Sequence, residues 1–205
     1  MKYIAIVFTL SAAGIIALSG CAGSFVNQYG YAAPDAEIVR EDGNAVFIPS
    51  NAHSIAQGFK LQEEHQGIDI VGKRGTPVIA AAGGIVRSSY YGPFFGNRVV
   101  IDHGRNTNGF YMRSKYFHLN KLLVNEGDKV VRGQQIGELG STGMLASYPH
   151  LHFETRSGAR QNLKLFNPVT PHKFWVDGTG IVTCFDPDRE LPDMPFKTTF
   201  PVPCS

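Results

Sequence analysis

The stretch GTPVIAAAGGIVRSS, residues 75–89, carries a pattern that repeats through most of the chain. Two apolar runs, Pro77–Ala81 and Gly84–Ser89, are separated by the glycine pair Gly83-Gly84. Short apolar runs bounded by glycine are typical of β-strands joined by tight turns. We therefore predict two strands in this stretch.

The same alternation of apolar runs and turn signals, about every 8–12 residues, extends from Ala45 to Pro168 and indicates an all-β domain. Besides the first two, strands are predicted at Gly67–Val71, Arg98–His103, Lys115–His118, Lys129–Val131, Gln135–Leu139 and His150–Thr155. A short helical turn is expected at Leu119–Leu123. The predicted fold is a largely antiparallel barrel-sandwich with an open groove on one sheet.

Composition limits the classes of function. The 205 residues are enough for one domain with a sizeable core. The formal net charge is only +2, and no basic face stands out along the chain. We therefore expect no nucleic-acid partner.

The N-terminus has the pattern of an export signal. Lys2 precedes an apolar run, Ile4–Leu18, which at about 15 residues is short for a membrane-spanning helix and fits a signal peptide. The run ends in Leu18-Ser19-Gly20-Cys21, which resembles the lipobox of bacterial lipoproteins. The resemblance implies a signal peptide over residues 1–20, a lipid on Cys21 and a tether over residues 21–44. An ordinary cleaved signal with an incidental cysteine is the alternative.

Three cysteines are present, and Cys21 is assigned to the lipid. Cys184 and Cys204 remain, and in an oxidising compartment two such cysteines tend to pair. We expect a disulfide between them, with two free buried thiols as the alternative.

Two short segments combine histidine with acidic residues at strand spacing. In HQGID, residues 65–69, the period of two places His65, Gly67 and Asp69 on one face of a strand. In HLHFE, residues 150–154, it places His150 and His152 on one face, with apolar residues behind them. Side by side, the two strands would form a His/Asp/His site. Zinc accepts imidazole and carboxylate ligands, and catalytic zinc sites have three protein ligands with water in a fourth position.

The segments HQGIDI, GTPVIAAAGGIV, GNRVVIDHG, YFHL, VNEGDKVVRGQQIGELGSTG and PHLHFE occur in this order. The ordered set resembles the lysostaphin-type (LytM-type) zinc metallopeptidases, whose fold is a duplicated hybrid motif. It covers roughly Gly58 to Pro168. The resemblance implies a metallopeptidase domain over residues 45–170, followed by a tail over residues 171–205 that holds the disulfide.

The resemblance also implies residue roles. His65, Asp69 and His152 would bind Zn²⁺, while His118 and His150 would be the catalytic histidines. Peptidoglycan peptides would be the substrate, and the lipid would attach the chain to a membrane. The implied location is the cell envelope, at the outer membrane facing the periplasm, where a protein regulator could act on it.

Other functions remain open on the same scaffold. A non-catalytic peptidoglycan-binding activator of other wall hydrolases is the main alternative, although no ligand or catalytic position is missing. Two loops, Arg105–Lys115 and Met144–Tyr148, depart from the family pattern and are expected to flank the groove. Glu154 lies on the face of the histidines, at its far end, and could orient a ligand.

Overall fold

A computed structural model describes residues 38–39, 45–60, 65–160, 166–191 and 194–205. The expected signal peptide, the lipid position Cys21 and all of the expected tether except residues 38–39 lie outside the described residues. No helix in the described part of the chain is long and apolar enough to cross a membrane.

Thirteen strands and one short 3₁₀ helix make up the described secondary structure. The helix spans Pro171–Lys173. The strands are β1 (Ile38–Val39), β2 (Ala45–Val46), β3 (Ile55–Gln57), β4 (Ile68–Val71), β5 (Pro77–Ile79), β6 (Gly84–Gly92), β7 (Gly96–Arg105), β8 (Tyr111–Leu119), β9 (Lys121–Leu122), β10 (Lys129–Val130), β11 (Gln135–Glu138), β12 (His150–Gly158) and β13 (Asn167–Val169).

The strands form a main antiparallel sheet with two smaller sheets beside it. The main sheet has eight strands in the order β10-β6-β7-β8-β12-β4-β3, with β13 also pairing with β12. A three-stranded sheet has the order β5-β11-β9, and β1 pairs with β2. The all-β, antiparallel prediction is confirmed. The main sheet is an open path of strands, however, and does not close into a barrel.

All eight strands predicted from the sequence are present, with ends that differ by a few residues. The helical turn expected at Leu119–Leu123 is wrong. Leu119 ends β8, and Lys121–Leu122 forms β9, which pairs with Gly137 and Glu138 of β11. Pairing with a neighbouring strand therefore overrides the local helical preference.

Cross-strand register gives the main sheet one apolar face. Phe153 of β12 lies opposite Ile68 of β4 and Tyr116 of β8, and Leu151 lies opposite Ile70. These side chains are fully buried in the core. Successive residues of a strand point to opposite faces, so the residues between them must lie on the other face of the sheet.

The C-terminal segment packs into the same core. Trp175, Phe200 and Val202 are fully buried and belong to its main hydrophobic cluster. The backbone carbonyl of Pro201 accepts a hydrogen bond from the N–H of Ile79 at 2.9 Å. The predicted disulfide between Cys184 and Cys204 is present and closes this segment.

Candidate metal centre

The register of β4 and β12 brings the two polar segments together. Asp69 lies directly opposite His152, and Val71 lies opposite His150. His65 precedes β4 and forms an isolated bridge with Lys60. The polar face of the sheet therefore gathers the histidines and the aspartate that the sequence places on two separate strands.

His65, Asp69 and His152 form a compact group of ligand atoms. Nδ1 of His152 lies 2.7 Å from Oδ1 of Asp69, and Nε2 of His65 lies 3.1 Å from the same oxygen. One ligand atom from each residue lies within 4.8 Å of the others, so the group could hold a metal ion.

The hydrogen bonds of His65 favour a metal ligand at Nε2. Its Nδ1 donates to the backbone carbonyl of Gly58 at 2.6 Å. This bond places the proton on Nδ1, so Nε2 carries a lone pair. Nε2 is buried and makes no hydrogen bond of good geometry to any described residue. A buried imidazole nitrogen with a free lone pair, beside a carboxylate and a second imidazole, suits zinc.

Gly67 makes room for this arrangement. A Cβ at position 67 would lie 2.5 Å from the carbonyl oxygen of Phe153 and 2.8 Å from Nε2 of His152. Both contacts are closer than real side-chain carbons allow, and one of them is with the backbone. Only glycine at position 67 therefore lets this segment approach β12 closely beside the ligands.

His118 and His150 adjoin the metal group, and each is fixed through Nδ1. His118 donates to the carbonyl of Thr142 at 2.9 Å, and His150 donates to the carbonyl of Tyr148 at 2.8 Å. Their ring centroids are 4.8 Å apart. Both bonds place the proton on Nδ1 and leave a lone pair on Nε2. Nε2 of His150 lies 3.8 Å from Oδ1 of Asp69, close to the metal group.

His118 has an unusual backbone conformation. Its φ of 64° lies in the left-handed region, which residues other than glycine seldom adopt. Hydrogen bonds at its own N–H, to Phe95, and at its carbonyl, from Thr142, hold the backbone there. Such strain is found mainly where surrounding structure enforces a functional geometry.

The pKa values show how strongly the polar face is charge-coupled. Burial alone would raise the pKa of Asp69, but interactions with His152 and His65 outweigh burial and hold it well below its ordinary value. Burial likewise would lower the pKa of His152, but Asp69 and Glu154 raise it to about 9. His152 therefore lies between two ionised carboxylates and favours positive charge at this position.

The two remaining histidines behave in the opposite way. Burial lowers the pKa of His118 to about 4, and it also lowers the pKa of His150. Both rings are therefore neutral at pH 7. A neutral imidazole with its proton fixed on Nδ1 can accept a proton at Nε2.

Glu154 is closer to the metal group than the sequence indicated. Its Oε1 lies 3.4 Å from Nε2 of His152, the nitrogen that faces away from Asp69. Arg156 and Lys115 contact its other oxygen, with Lys115 Nζ at 3.3 Å. Burial would raise the pKa of Glu154, but these partners lower it to about 2. Glu154 can therefore orient the His152 ring as an ionised acceptor.

These side chains line one cavity of 520 Å³. Arg98, Lys115 and Arg156 line it as well, and the sequence analysis did not single them out. Arg156 follows Glu154 by two residues, and Lys115 lies opposite Glu154 in register. The period of two could have identified Arg156, whereas Lys115 and Arg98 required knowledge of the strand order.

The two unusual loops and a further histidine, His103, have different positions relative to the cavity. Leu145 of the second unusual loop lines the cavity, as expected. The same expectation for the first loop, Arg105–Lys115, is wrong for most of its length. Its turn at residues 106–110 lies at the opposite end of β8 from His118, and of residues 105–115 only Lys115 lines the cavity. His103 is bound to Gly83 and Ser114, away from the metal group.

Comparison with known proteins agrees with this geometry. A model of peptidase family M23 matches residues 63–168. The chain belongs to peptidase family M23. The family resemblance noted in the sequence is thereby confirmed, and the matched residues include all five histidine and aspartate positions described above.

Each relative matches only part of this M23 chain. The chain in turn spans less than a third of the length of the two curated relatives described next. Peptidoglycan DD-endopeptidase ShyC of Vibrio cholerae is 44% identical over 108 residues, which are 53% of this chain and 23% of ShyC. A lipoprotein NlpD/LppB homolog of Pseudomonas aeruginosa is 45% identical over 93 residues, 45% of this chain and 29% of that protein. The catalytic domain of lysostaphin from Staphylococcus simulans is 35% identical, with coverage of 48% and 71% and a TM-score of 0.41.

Proposed function

We propose that this chain is a zinc-dependent endopeptidase that hydrolyses peptide bonds in the cross-links or stem peptides of peptidoglycan, for remodelling of the cell wall. The observation that carries the proposal is the convergence of five side chains on one cavity: His65, Asp69, His118, His150 and His152. Three of them form a group that could hold a metal ion, and the other two are neutral histidines beside it.

The donor set is the basis for choosing zinc. Two imidazoles and one carboxylate are a common ligand set of catalytic zinc, and His65, Asp69 and His152 would supply it. When bound in such a site, zinc lowers the pKa of a water ligand to about 7 and polarises a carbonyl oxygen. Glu154 would hold the ring of His152 in a fixed orientation throughout.

His118 and His150 would move the protons of the reaction. Each has Nδ1–H fixed on a backbone carbonyl and a free lone pair at Nε2. Nε2 of one ring would accept the proton of the attacking water and later return it to the amine leaving group. The second ring, whose Nε2 also carries a lone pair, would accept a hydrogen bond from the same water and help to orient it.

The choice of peptidoglycan rests on relatives. ShyC is named a peptidoglycan DD-endopeptidase, and its matched segment is 44% identical to this chain. The match spans 23% of ShyC, so the bond cut by ShyC is not assigned to this chain. An exported protein with the sequence features described above would meet peptidoglycan outside the cytoplasm.

The N-terminal sequence supports an envelope location. We extend the proposal to a chain divided into a signal peptide (1–20), a lipidated Cys21 with its tether (21–44), a metallopeptidase domain (45–170) and a tail (171–205). A relative named as a lipoprotein NlpD/LppB homolog supports a lipid anchor, and we place that anchor at the outer membrane facing the periplasm as part of the proposal. Labelled palmitate should enter the full-length protein in bacteria, and Cys21→Ser should prevent incorporation.

Digestion of purified peptidoglycan sacculi tests the enzyme directly. The chain lacking residues 1–21 is incubated with sacculi, and soluble products are identified by mass spectrometry. Parallel samples contain a chelator, the chelator followed by zinc, or the variant His152→Ala. We expect peptide-cleaved fragments that vanish with the chelator or the variant and return with zinc.

His53→Ala is the matched control. His53 is a partly buried histidine bound to the carbonyl of Val71, and it is not among the residues that line the cavity. This variant should release fragments at the wild-type rate. A folded, zinc-loaded wild-type protein that releases no fragment would refute hydrolysis and favour the non-catalytic activator.

A further inference from the structure

A second cavity adjoins the metal cavity and has a different character. Its volume is 230 Å³, and Tyr90 of β6 lines it. Four side chains line both cavities, so the two form one continuous groove: Arg98, Lys115, Phe117 and Arg156. Three of the four shared side chains are cationic. A ligand that extends from the metal group along this groove must therefore pass a positively charged wall.

The cations in this groove outnumber their carboxylate partners. Arg113 pairs with Asp102 at 3.2 Å, which balances that charge. Lys115 and Arg156, in contrast, share the single carboxylate of Glu154. At least one positive charge is therefore uncompensated at the junction of the two cavities, before Arg98 is counted.

Arg98 is the cation with the fewest partners. It forms no ion pair within the described part of the chain, and its Nε is buried without a hydrogen-bond partner there. Burial lowers the pKa of Arg98, and no acidic group offsets this effect. Arg98 lines both cavities and its side chain donates no hydrogen bond to a described residue, so a ligand in the groove could supply an acceptor.

The orientation of Arg98 suits a planar anion. Its guanidinium lies over the ring of Tyr90, with the central carbon 4.0 Å from the ring centroid. Stacking holds the plane of the guanidinium, and a guanidinium edge offers two parallel N–H donors. A carboxylate can accept two parallel hydrogen bonds from such an edge.

We propose that Arg98, with Lys115 beside it, is a carboxylate-binding subsite that selects peptides carrying a free carboxylate close to the scissile bond. This proposal rests on the endopeptidase function proposed above and specifies its substrate class. Arg98 is on β7, two strands from β12 in the sheet order β7-β8-β12. At about 4.8 Å per strand and about 3.3 Å per residue of an extended peptide, the carboxylate lies within about three residues of the bond that is cut.

Matched synthetic peptides test the subsite. The parent peptide carries a side-chain carboxylate and a C-terminal carboxylate on either side of the scissile bond. A second peptide has the side chain as a carboxamide, and a third has the C-terminus as an amide. We expect the wild type to lose about 10-fold or more in kcat/KM for one of the two amidated peptides, which identifies the source of the carboxylate.

Variants then assign this preference to Arg98. Arg98→Gln should abolish discrimination between the parent and that amidated peptide, whereas Arg98→Lys should retain part of it. Arg105→Gln is the matched control. Arg105 also stacks on a tyrosine, Tyr111, at 4.9 Å, and it lines neither cavity. Equal kcat/KM of the wild type for all three peptides, or equal discrimination in Arg98→Gln and the wild type, would overturn the proposal.

Binding to the metal-free protein separates this proposal from the proposed function. Isothermal titration calorimetry measures the binding of the same peptides to the protein in the presence of a chelator. Under these conditions neither hydrolysis nor a metal–carboxylate bond contributes. Tighter binding of the parent peptide that is lost in Arg98→Gln supports the subsite even if no peptide is cut, in which case only the enzyme proposal fails. If the peptides are cut but neither assay distinguishes the parent from the amidated peptides, the enzyme proposal stands and the subsite proposal is wrong.

Discussion

The two faces of β12 are equally buried but are held in place by different forces. Leu151 and Phe153 on one face are fully buried among apolar side chains. His150, His152 and Glu154 on the other face are 4%, 8% and 4% exposed, and hydrogen bonds and ion pairs fix their orientation. Burial alone therefore does not distinguish core from site in this protein.

The difference predicts where stability and activity reside. Apolar burial is non-directional and gains free energy with the area removed from water. The polar face gains little net free energy from its hydrogen bonds, because each replaces a bond to water. Its groups are fixed in direction, which is what proton transfer and metal binding require. Changes on one face should therefore affect folding, and changes on the other should affect chemistry.

The largest effect is expected on the polar face, from His150→Ala. The variant loses a ring placed to exchange a proton, and general acid–base catalysis contributes about 10²–10⁴-fold to rates. It loses a hydrogen bond to Tyr148 and ring contacts with Tyr148 and His118, so its free energy of unfolding should fall by about 1–3 kcal/mol. Peptide hydrolysis and urea unfolding measure the two quantities. A variant that is as active as the wild type, or that unfolds, would break the division between the faces.

The next effect is expected on the apolar face, from Phe153→Ala. Phe153 is fully buried against Tyr116, with ring centroids 5.2 Å apart. The cavity left by this change should lower the free energy of unfolding by about 3–5 kcal/mol. Phe153→Leu, which refills part of the space, should cost less. A loss below about 1 kcal/mol in urea unfolding would show that the apolar face is not the main source of stability.

The sequence predicted both faces of β4 and β12 because each follows from a local period of two. Asp69, His150 and His152 were placed on one side and Ile68 and Phe153 on the other without knowledge of the fold. The arrangement of strands within the sheet is not local, however. Lys115 and Arg98 reach the groove only because β8 and β7 follow β12 in the sheet, and no spacing along the chain encodes that order.

Two further features also depend on distant partners. Lys121 and Leu122 resemble a helical turn when considered alone, but they pair with β11. The left-handed backbone of His118 is held by Phe95 and Thr142, which are remote in the sequence. Local patterns predicted the elements and their faces, whereas tertiary contacts decided the exceptions.

A third prediction concerns the C-terminal segment that completes the apolar layer. Cys184 and Cys204 close a loop with a sequence separation of 20, and a cross-link of this length stabilises by about 3 kcal/mol. The double variant Cys184→Ala/Cys204→Ala should have a free energy of unfolding lower by about 3 kcal/mol, measured by urea unfolding. Because neither cysteine lines the cavity, kcat/KM of the folded variant should stay within about 2-fold of the wild type. A large loss of kcat/KM without loss of stability would mean that the segment supports the site and not the core.

The smallest effect is expected from the buried hydroxyl of Tyr116, whose ring packs against Phe153. Burial raises the pKa of Tyr116 to about 12, above the value of about 10 for an unfolded tyrosine. The raised pKa means that the neutral form is favoured in the folded state. Its contribution to stability is therefore complete below pH 10 and is lost as the pH rises through 12, by about 2 kcal/mol.

Tyr116→Phe isolates this contribution. The variant loses hydrogen bonds from Ala81 and Ser114 and should be less stable at pH 7. Between pH 10 and 12, however, the free energy of unfolding of the wild type should fall more steeply than that of the variant. Equal slopes in urea unfolding across this range would show that the apolar face tolerates a charged phenolate. The contrast between the two faces would then depend on the particular groups present and not on the polarity of the surroundings.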